Sequence, residues 1–493
     1  MENSYAFPLL SVLLFLPLAG AAVILGVRPK SPRVAHAIGI GAAALAFAAS
    51  VGVWLRGVPG GFSQVEEVSW IPSLGAAYRV GVDGISFPLV LLTTLLFLAT
   101  LLYSIKIKEK AATYVALLLL LETACLGVFL ALDLLLFYVF FEVTLVGMYF
   151  IIAGWGHENR KQAALTFFIY TLVGSLFLLL SLLALYLYAA PHTFDMRALV
   201  AHPPLTGLVA TLAFWGLFLA FAIKTPLFPF HTWLPAAHTE APAAGSTILA
   251  GVLLKLGGYG FLRFSLQMTP DAFREYAPAV VVIAVVSALY GAFVALAQTD
   301  IKRMVAYTSV NHMGYMVFGV AAAAVAGAGA RTTALDGAVL QMVSHGVVTG
   351  MLFLLVGALQ DRVKTREMAQ LRGLLHTAPV LSGLFILAAF ASLGLPGLAH
   401  FPAEFQIFLG GYSVFPVAVG FLLLGLLITT ALYIRAIQKV FMGERPEGVT
   451  DYGDLGAREL WAIVPLAAVI LDVGVFPGPL LALIHETTKL LGL

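Results

Sequence analysis

The chain has 493 residues, of which 61% are hydrophobic and 11% charged, with a formal charge of +2 and a mean hydropathy of +0.99. A soluble domain carries about 25% charged residues, so this composition excludes a soluble globular protein and indicates a polytopic membrane protein. No basic patch suits nucleic acid, and a single cysteine, Cys125, excludes an intrachain disulfide and the four-thiolate set of an iron–sulfur cluster.

A hydrocarbon core of about 30 Å takes about 20 apolar helical residues. That length predicts fourteen spans: 7–27, 34–55, 84–104, 111–131, 133–154, 163–190, 205–224, 246–266, 276–299, 303–327, 335–359, 380–396, 413–441 and 460–484. The first lacks a positive n-region and is longer than a signal core, so it is expected to be retained. Short apolar, proline-broken pieces follow the seventh span (226–240) and the twelfth (400–411). Those two spans are five apart and so cross in opposite directions.

The expected fold is therefore all-α, with discontinuous helices 7 and 12 in two inverted five-helix repeats, spans 4–8 and 9–13. The expected divisions are an N-terminal three-helix segment at 1–110, the repeats at 111–270 and 271–441, and a C-terminal loop and last helix at 442–493. Loops after odd-numbered spans hold eighteen of the 27 Lys and Arg residues, Arg28, Lys106, Lys302, Arg362 and Arg445 among them. The other side holds seven, including Arg79 and Arg263. The positive-inside rule places both termini outside.

Two cations remain, and both fall inside spans. Lys224 ends an apolar run in "FAIKTPLFPFHTWLPAAHTEAP", just before Pro226 and Pro229. Proline breaks the helix and frees carbonyls, which a membrane tolerates only inside protein or beside a wet cavity. Lys255 sits centrally in "TILAGVLLKLGGYGFLRF", followed by Gly257, Gly258 and Gly260, which allow close helix approach. Glu142 lies mid-span in "DLLLFYVFFEVTLVGMYF", and Glu404 in "SLGLPGLAHFPAEF", bracketed by Pro396 and Pro402.

A charge at mid-bilayer costs about 2.5–3.5 kcal/mol and is usually kept for function. Glu142, Lys224, Lys255 and Glu404 are therefore the candidate proton-transfer groups, with His231, His238, His312 and His345 as intermediates. Each histidine, like Glu122, reads equally as a satisfied core residue. No histidine pair has ligand spacing with a third partner, so no metal site is expected. A mechanism follows from electrostatics: a carboxylate near a buried ammonium offsets its desolvation. Lys224 holds its proton while Glu142 is close. It releases the proton toward His231, His238, Lys255 and Glu404 when they part.

The quoted segments around Lys224 and Lys255, with "DIKRMVAYTSVNHMGYM" and "HGVVTGMLFLLVGAL", carry a family resemblance over nearly the whole chain. The chain resembles the proton-translocation module shared by respiratory NADH–quinone oxidoreductase (complex I), Mrp-type sodium/proton antiporters and membrane-bound hydrogenases. Within it, the similarity is greatest to the complex I subunit type that carries a glutamate, here Glu404, on the twelfth helix and lacks a long lateral helix.

The resemblance implies a proton-pumping subunit in a bacterial inner membrane, with Glu142, Lys224, Lys255 and Glu404 as transfer groups. His231, His238, His312 and His345 would form a hydrophilic axis. It implies no cofactor in this chain; FMN, iron–sulfur clusters and quinone would sit on partner subunits. The implied neighbours are the antiporter-like subunits L and N and the lateral helix of L. A sodium/proton antiporter or hydrogenase subunit is the alternative.

Overall fold

The computed structural model describes residues 7–444 and 452–491; Arg445, counted above among the inner-side cations, lies outside them. Lipid offers no hydrogen bonds, so each apolar run closes its own backbone as helix. The first two helices are α1 (Leu9–Val27) and α2 (Pro32–Leu55). Next come α3 (Ser86–Tyr103), α4 (Ala111–Leu130), α5 (Leu134–Trp155), α6 (Arg160–Tyr188), the short α7 (Met196–Ala201) and α8 (Gly207–Lys224). Beyond a break follow α9 (Trp233–Glu240), α10 (Ala243–Ile248), α11 (Leu254–Gly260), α12 (Pro270–Ala297), α13 (Ile301–Val325) and α14 (Ala328–Val363). The chain continues through α15 (Leu374–Thr377), α16 (Pro379–Ser392), α17 (His400–Tyr412), α18 (Pro416–Val440), α19 (Ala457–Val475) and α20 (Gly478–Thr488).

Among the described residues, eleven helical stretches are long and apolar enough to cross a membrane, and α19 with α20, bent by 68°, makes a twelfth if the pair is one span. The α13 helix is not among them, because Asn311 and His312 dilute its apolarity; the α16–α17 pair is interrupted at 393–399. Along α6, Leu165, Ile169, Val173, Leu176, Leu180, Leu183 and Leu187 are all exposed. They recur every three or four residues, an apolar stripe that no soluble surface carries. By contrast α13 and α14 form the centre, their middle residues buried throughout.

The all-α expectation needs one correction. Strands β1 (Ser63–Ile71) and β2 (Ala76–Val82) form an antiparallel hairpin in the stretch between α2 and α3. Its turn needs a left-handed residue, supplied by Gly75 at φ +67°. The hairpin caps α1: Glu66 accepts from the backbone N–H groups of Leu10 (2.8 Å) and Ser11 (2.9 Å).

Arg263 is a second correction. Counted above among the outer-side loop cations, it lies fully buried on the helical segment after α11, ion-paired to Asp83 just before α3. Lys302, counted on the inner face, is also buried, its Nζ donating to Ala241 O at 2.6 Å.

Two aspartates perform the same local task at opposite ends. Asp133 caps α5 by accepting from Leu135 and Leu136 N–H, and Asp300 caps α13 by accepting from Lys302 and Arg303 N–H. Each also forms a lone β-bridge to a distant connecting segment, Asp133 with Asp195 and Asp300 with Glu367. Each pairs with an arginine: Arg79 Nη1–Asp133 at 3.3 Å, and Arg366 Nε–Asp300 at 3.1 Å.

Candidate functional site

The helix ending at Lys224 stops because Pro226 can neither donate nor continue it. Of the carbonyls so freed, Ala222 O accepts from Leu227 N (2.8 Å) and Ile223 O from the Trp233 indole Nε1 (3.0 Å). A hydroxyl from α12 serves the break as well, Ser287 Oγ accepting from Phe228 N at 2.8 Å. Non-helical backbone is thus held within protein, as a membrane requires. Lys224, 2% exposed, lies 4.9 Å from the Phe141 ring centroid and donates to Thr144 Oγ1 at 3.4 Å. Phe141 and Thr144 flank Glu142 on α5, yet no ion pair joins Glu142 to Lys224. The Glu142 Oε1 is buried without a protein partner.

Lys255 occupies α11, between two stretches of π-helix, Leu249–Leu253 and Phe261–Leu266. Such wide turns concentrate at functional sites, because they release carbonyls from the ordinary ladder. Here Lys255 Nζ donates to Ala250 O at 2.5 Å. Its second contact is His345 Nδ1 on α14, at 2.6 Å. The glycines do what close packing asks: a Cβ at Gly257 would strike Thr225, beside Lys224, and one at Gly258 would meet Met316 and Met342. The first break and the central lysine helix are thereby pressed together.

The second break places Glu404 one turn into α17, 2% exposed and against α13 and α14. Its Oε1 lies 3.3 Å from His312 Nδ1 and accepts from Gln341 Nε2 at 3.4 Å. His312 and His345 ring centroids are 5.7 Å apart. Lys255, His345, His312 and Glu404 therefore form one contiguous buried row drawn from four elements.

The other predicted residues stand apart from that row. His238 stacks on Phe353 at 4.4 Å, with both ring nitrogens lacking a protein partner. His231 sits among Tyr290 (4.9 Å) and Tyr307 (6.2 Å) of the α12–α13 pair, away from Lys255. Pro226 and Pro229 lie in the first break, Pro396 in the second, and Pro402 in the first turn of α17. Glu122 is buried on α4 with neither oxygen bonded.

Reading residues one by one missed His400. It is fully buried, 4.5 Å from His312 and 6.1 Å from His345 between ring centroids, with Nδ1 3.8 Å from Glu404 Oε1. The signal was available: His400 and Glu404 are four apart, which puts both on one helical face. His312, His400 and Glu404 each offer a ligating atom, all within 4.8 Å of one another. Linear spacing does not reveal this grouping, because His312 comes from a helix about 90 residues away in the chain from His400 and Glu404.

A buried row of amines, imidazoles and carboxylates across long apolar helices with two interruptions defines an ion-handling membrane protein. The chain belongs to the NADH:quinone oxidoreductase/Mrp antiporter transmembrane family, whose model matches residues 131–432. It is 39% identical over 492 residues to NADH-quinone oxidoreductase subunit M of Rickettsia prowazekii (strain Madrid E), covering 98% of each chain. To the subunit M of Rhodobacter capsulatus it is 40% identical over 489 residues, covering 95% of this chain and 93% of that one. A chain in respiratory complex I from Thermus thermophilus with bound NADH superposes with a TM-score of 0.88 at 35% identity, over 98% of this chain and 100% of that one. A chain of the Mrp complex from Dietzia sp. DQ12-45-1b shares the fold, with a TM-score of 0.85 at 21% identity, over 98% of this chain and 97% of that one.

Proposed function

We propose that the chain is the proton-translocating subunit M of a bacterial NADH–quinone oxidoreductase. The observation that carries this reading is the row Lys255–His345–His312–Glu404, held between the two helix breaks. The 2.6 Å contact of Lys255 Nζ with His345 Nδ1 is a donor facing an acceptor, the geometry proton transfer needs. Beyond it, His345 Nε2 and His312 Nδ1 are buried without hydrogen-bond partners in the protein, as are both nitrogens of His238 and one oxygen of Glu142. Buried polar atoms of this kind are served by ordered water or a mobile proton. Lys224 and Glu142 form the other end: Thr144 and Phe141, which bracket Glu142 in the chain, hold the ammonium. His238, and His231 beside the first break, link the halves through water.

Fourteen crossings follow if α13 and the α16–α17 pair also span; both termini then share one side, the outer one by the placement of Lys and Arg. Inversion of residues 111–270 onto 271–441 is supported by Asp133 and Asp300. Each caps the second helix of its repeat, bridges to a distant segment and pairs with an arginine, on opposite faces. Lys224 and Glu404 correspond as the charges at the fourth, broken helix. Redox chemistry would reside in partner subunits carrying FMN, iron–sulfur clusters and quinone. Subunits L and N and the lateral helix of L would flank this chain in the inner membrane.

The test is proton uptake per NADH oxidised in vesicles holding the assembled complex. Lys224→Ala is expected to lower it with NADH oxidation retained. Unchanged uptake per NADH in both Lys224→Ala and Glu142→Ala would leave this chain a scaffold.

A further inference from the structure

The three groups at the head of α17 have an arrangement that proton transfer alone does not require. His312 Nε2 is satisfied by Ser392 Oγ at 3.1 Å, which leaves Nδ1 as the nitrogen facing Glu404 Oε1 at 3.3 Å. That nitrogen makes no hydrogen bond. With Nε2 carrying the ring proton, the Nδ1 lone pair faces the carboxyl oxygen, a contact that a proton on the carboxyl or a cation between them relieves. His400 is similar: Nδ1 meets the Ser392 carbonyl at 3.2 Å, and Nε2 has no protein partner. Ser392 thus orients both imidazoles, as second-shell partners orient metal-binding histidines.

Distances agree with a metal. Zinc bonds to imidazole nitrogen and carboxylate oxygen are ~2.0–2.2 Å, so a tetrahedral angle separates donors by about 3.3–3.5 Å. His312 Nδ1 and Glu404 Oε1 stand at 3.3 Å; His400 Nδ1 donates to Ser392 O, which leaves Nε2 as its ligand nitrogen, and one donor atom from each of the three residues lies within 4.8 Å of the others. Two imidazoles and one carboxylate form the donor set of an open zinc site, with a fourth position left for water. Gly394 packs against Glu404: a Cβ there would come within 2.6 Å of its Oε2.

We propose that His312, His400 and Glu404 bind a divalent transition cation of the Zn2+ class. The site is argued from geometry; that zinc seated there halts pumping rests on the relay proposed above, since it would occupy lone pairs the proton uses and repel the Lys255 ammonium across His345.

The test uses the purified, chelator-treated complex loaded with Zn2+ alone. Wild type is expected to hold one more zinc per complex than His400→Gln. The zinc absorption edge of that extra ion should report two imidazole shells and an oxygen at ~2.0–2.2 Å. If His400→Gln fails to assemble, the wild-type spectrum at one equivalent of zinc decides: no imidazole scattering overturns the site. Equal zinc content in wild type and an assembled His400→Gln also overturns it. A His400-dependent zinc that leaves proton uptake per NADH untouched upholds the site and refutes the relay through Glu404.

Discussion

Replacing Lys255 with arginine or methionine separates a proton carrier from a structural cation. The Lys255 ammonium makes two short contacts, to Ala250 O at 2.5 Å and His345 Nδ1 at 2.6 Å. A hydrogen bond to a charged group is worth about 1.5–3 kcal/mol. Losing the His345 contact therefore lowers the population of the connected row by about 10- to 150-fold, at 1.4 kcal/mol per factor of ten. Lys255→Met is close in length and leaves two acceptors without a donor. Lys255→Arg keeps the charge and the donors, but a guanidinium does not release its proton in a protein.

Both variants are expected to cut proton uptake by this chain at least ~10-fold. The assay is NADH-driven quenching of a pH-gradient dye in vesicles, with NADH oxidation measured in parallel under uncoupler. A Lys255→Arg complex that pumps with wild-type uptake per NADH would refute a proton-carrying role and leave the residue a fixed charge.

Arg263 and Asp83 form a buried pair, and removing one partner strands the other. Asp83→Asn or Arg263→Met should each destabilise the subunit by ~3–5 kcal/mol, seen as loss of assembled complex, while the double apolar replacement recovers most of it. Trp233→Phe removes the indole donor to Ile223 O; a loss of ~1–3 kcal/mol in thermal stability is expected, with a lower pumping rate because Lys224 is the next residue. Gly394 (φ +76°) and Gly397 (φ +88°) both hold left-handed backbone that disfavours a side chain, but only at Gly394 would an added methyl meet Glu404. Gly394→Ala should therefore impair pumping more than Gly397→Ala, whose added methyl meets nothing.

Acid should loosen the face that carries the β1–β2 hairpin. Burial raises the Asp195 carboxyl, but the Arg197 side chain and backbone N–H, with the charges of Arg197 and Arg79, outweigh it and hold it below the usual range. Its contribution is present above pH ~3.9 and is lost as pH falls through the lower folded value. The stability gap between wild type and Asp195→Asn should narrow below pH 4 in acid-unfolding curves.

Some of the site was legible one residue at a time. Lys224 and Glu404 were marked by prolines beside a charge in an apolar run, and Lys255 by its distance from either end of a span. The His312–Glu404 contact was not, because 92 positions separate them and nothing local encodes which helices meet. His400 was legible as the i−4 neighbour of Glu404, yet a lone histidine in an apolar helix carries no signal until its partners are known. The β1–β2 hairpin was masked by composition: "SQVEEVSWI" alternates with β-branched and aromatic residues, but its surroundings favour helix. Arg263 misled for a related reason, since a cation near the predicted end of a span is indistinguishable from a loop cation unless its acid is found.

The sequence by itself determined the membrane class and the two proline interruptions after the seventh and twelfth spans, because bilayer thickness and proline chemistry act on contiguous residues. Tertiary structure alone decided that one amine, three imidazoles and a carboxylate from α11, α13, α14 and α17 share a single buried row. It also decided that π-turns flank Lys255. Both depend on close helix approach at glycines and on which carbonyls neighbouring helices leave free, and those are properties of packing between segments.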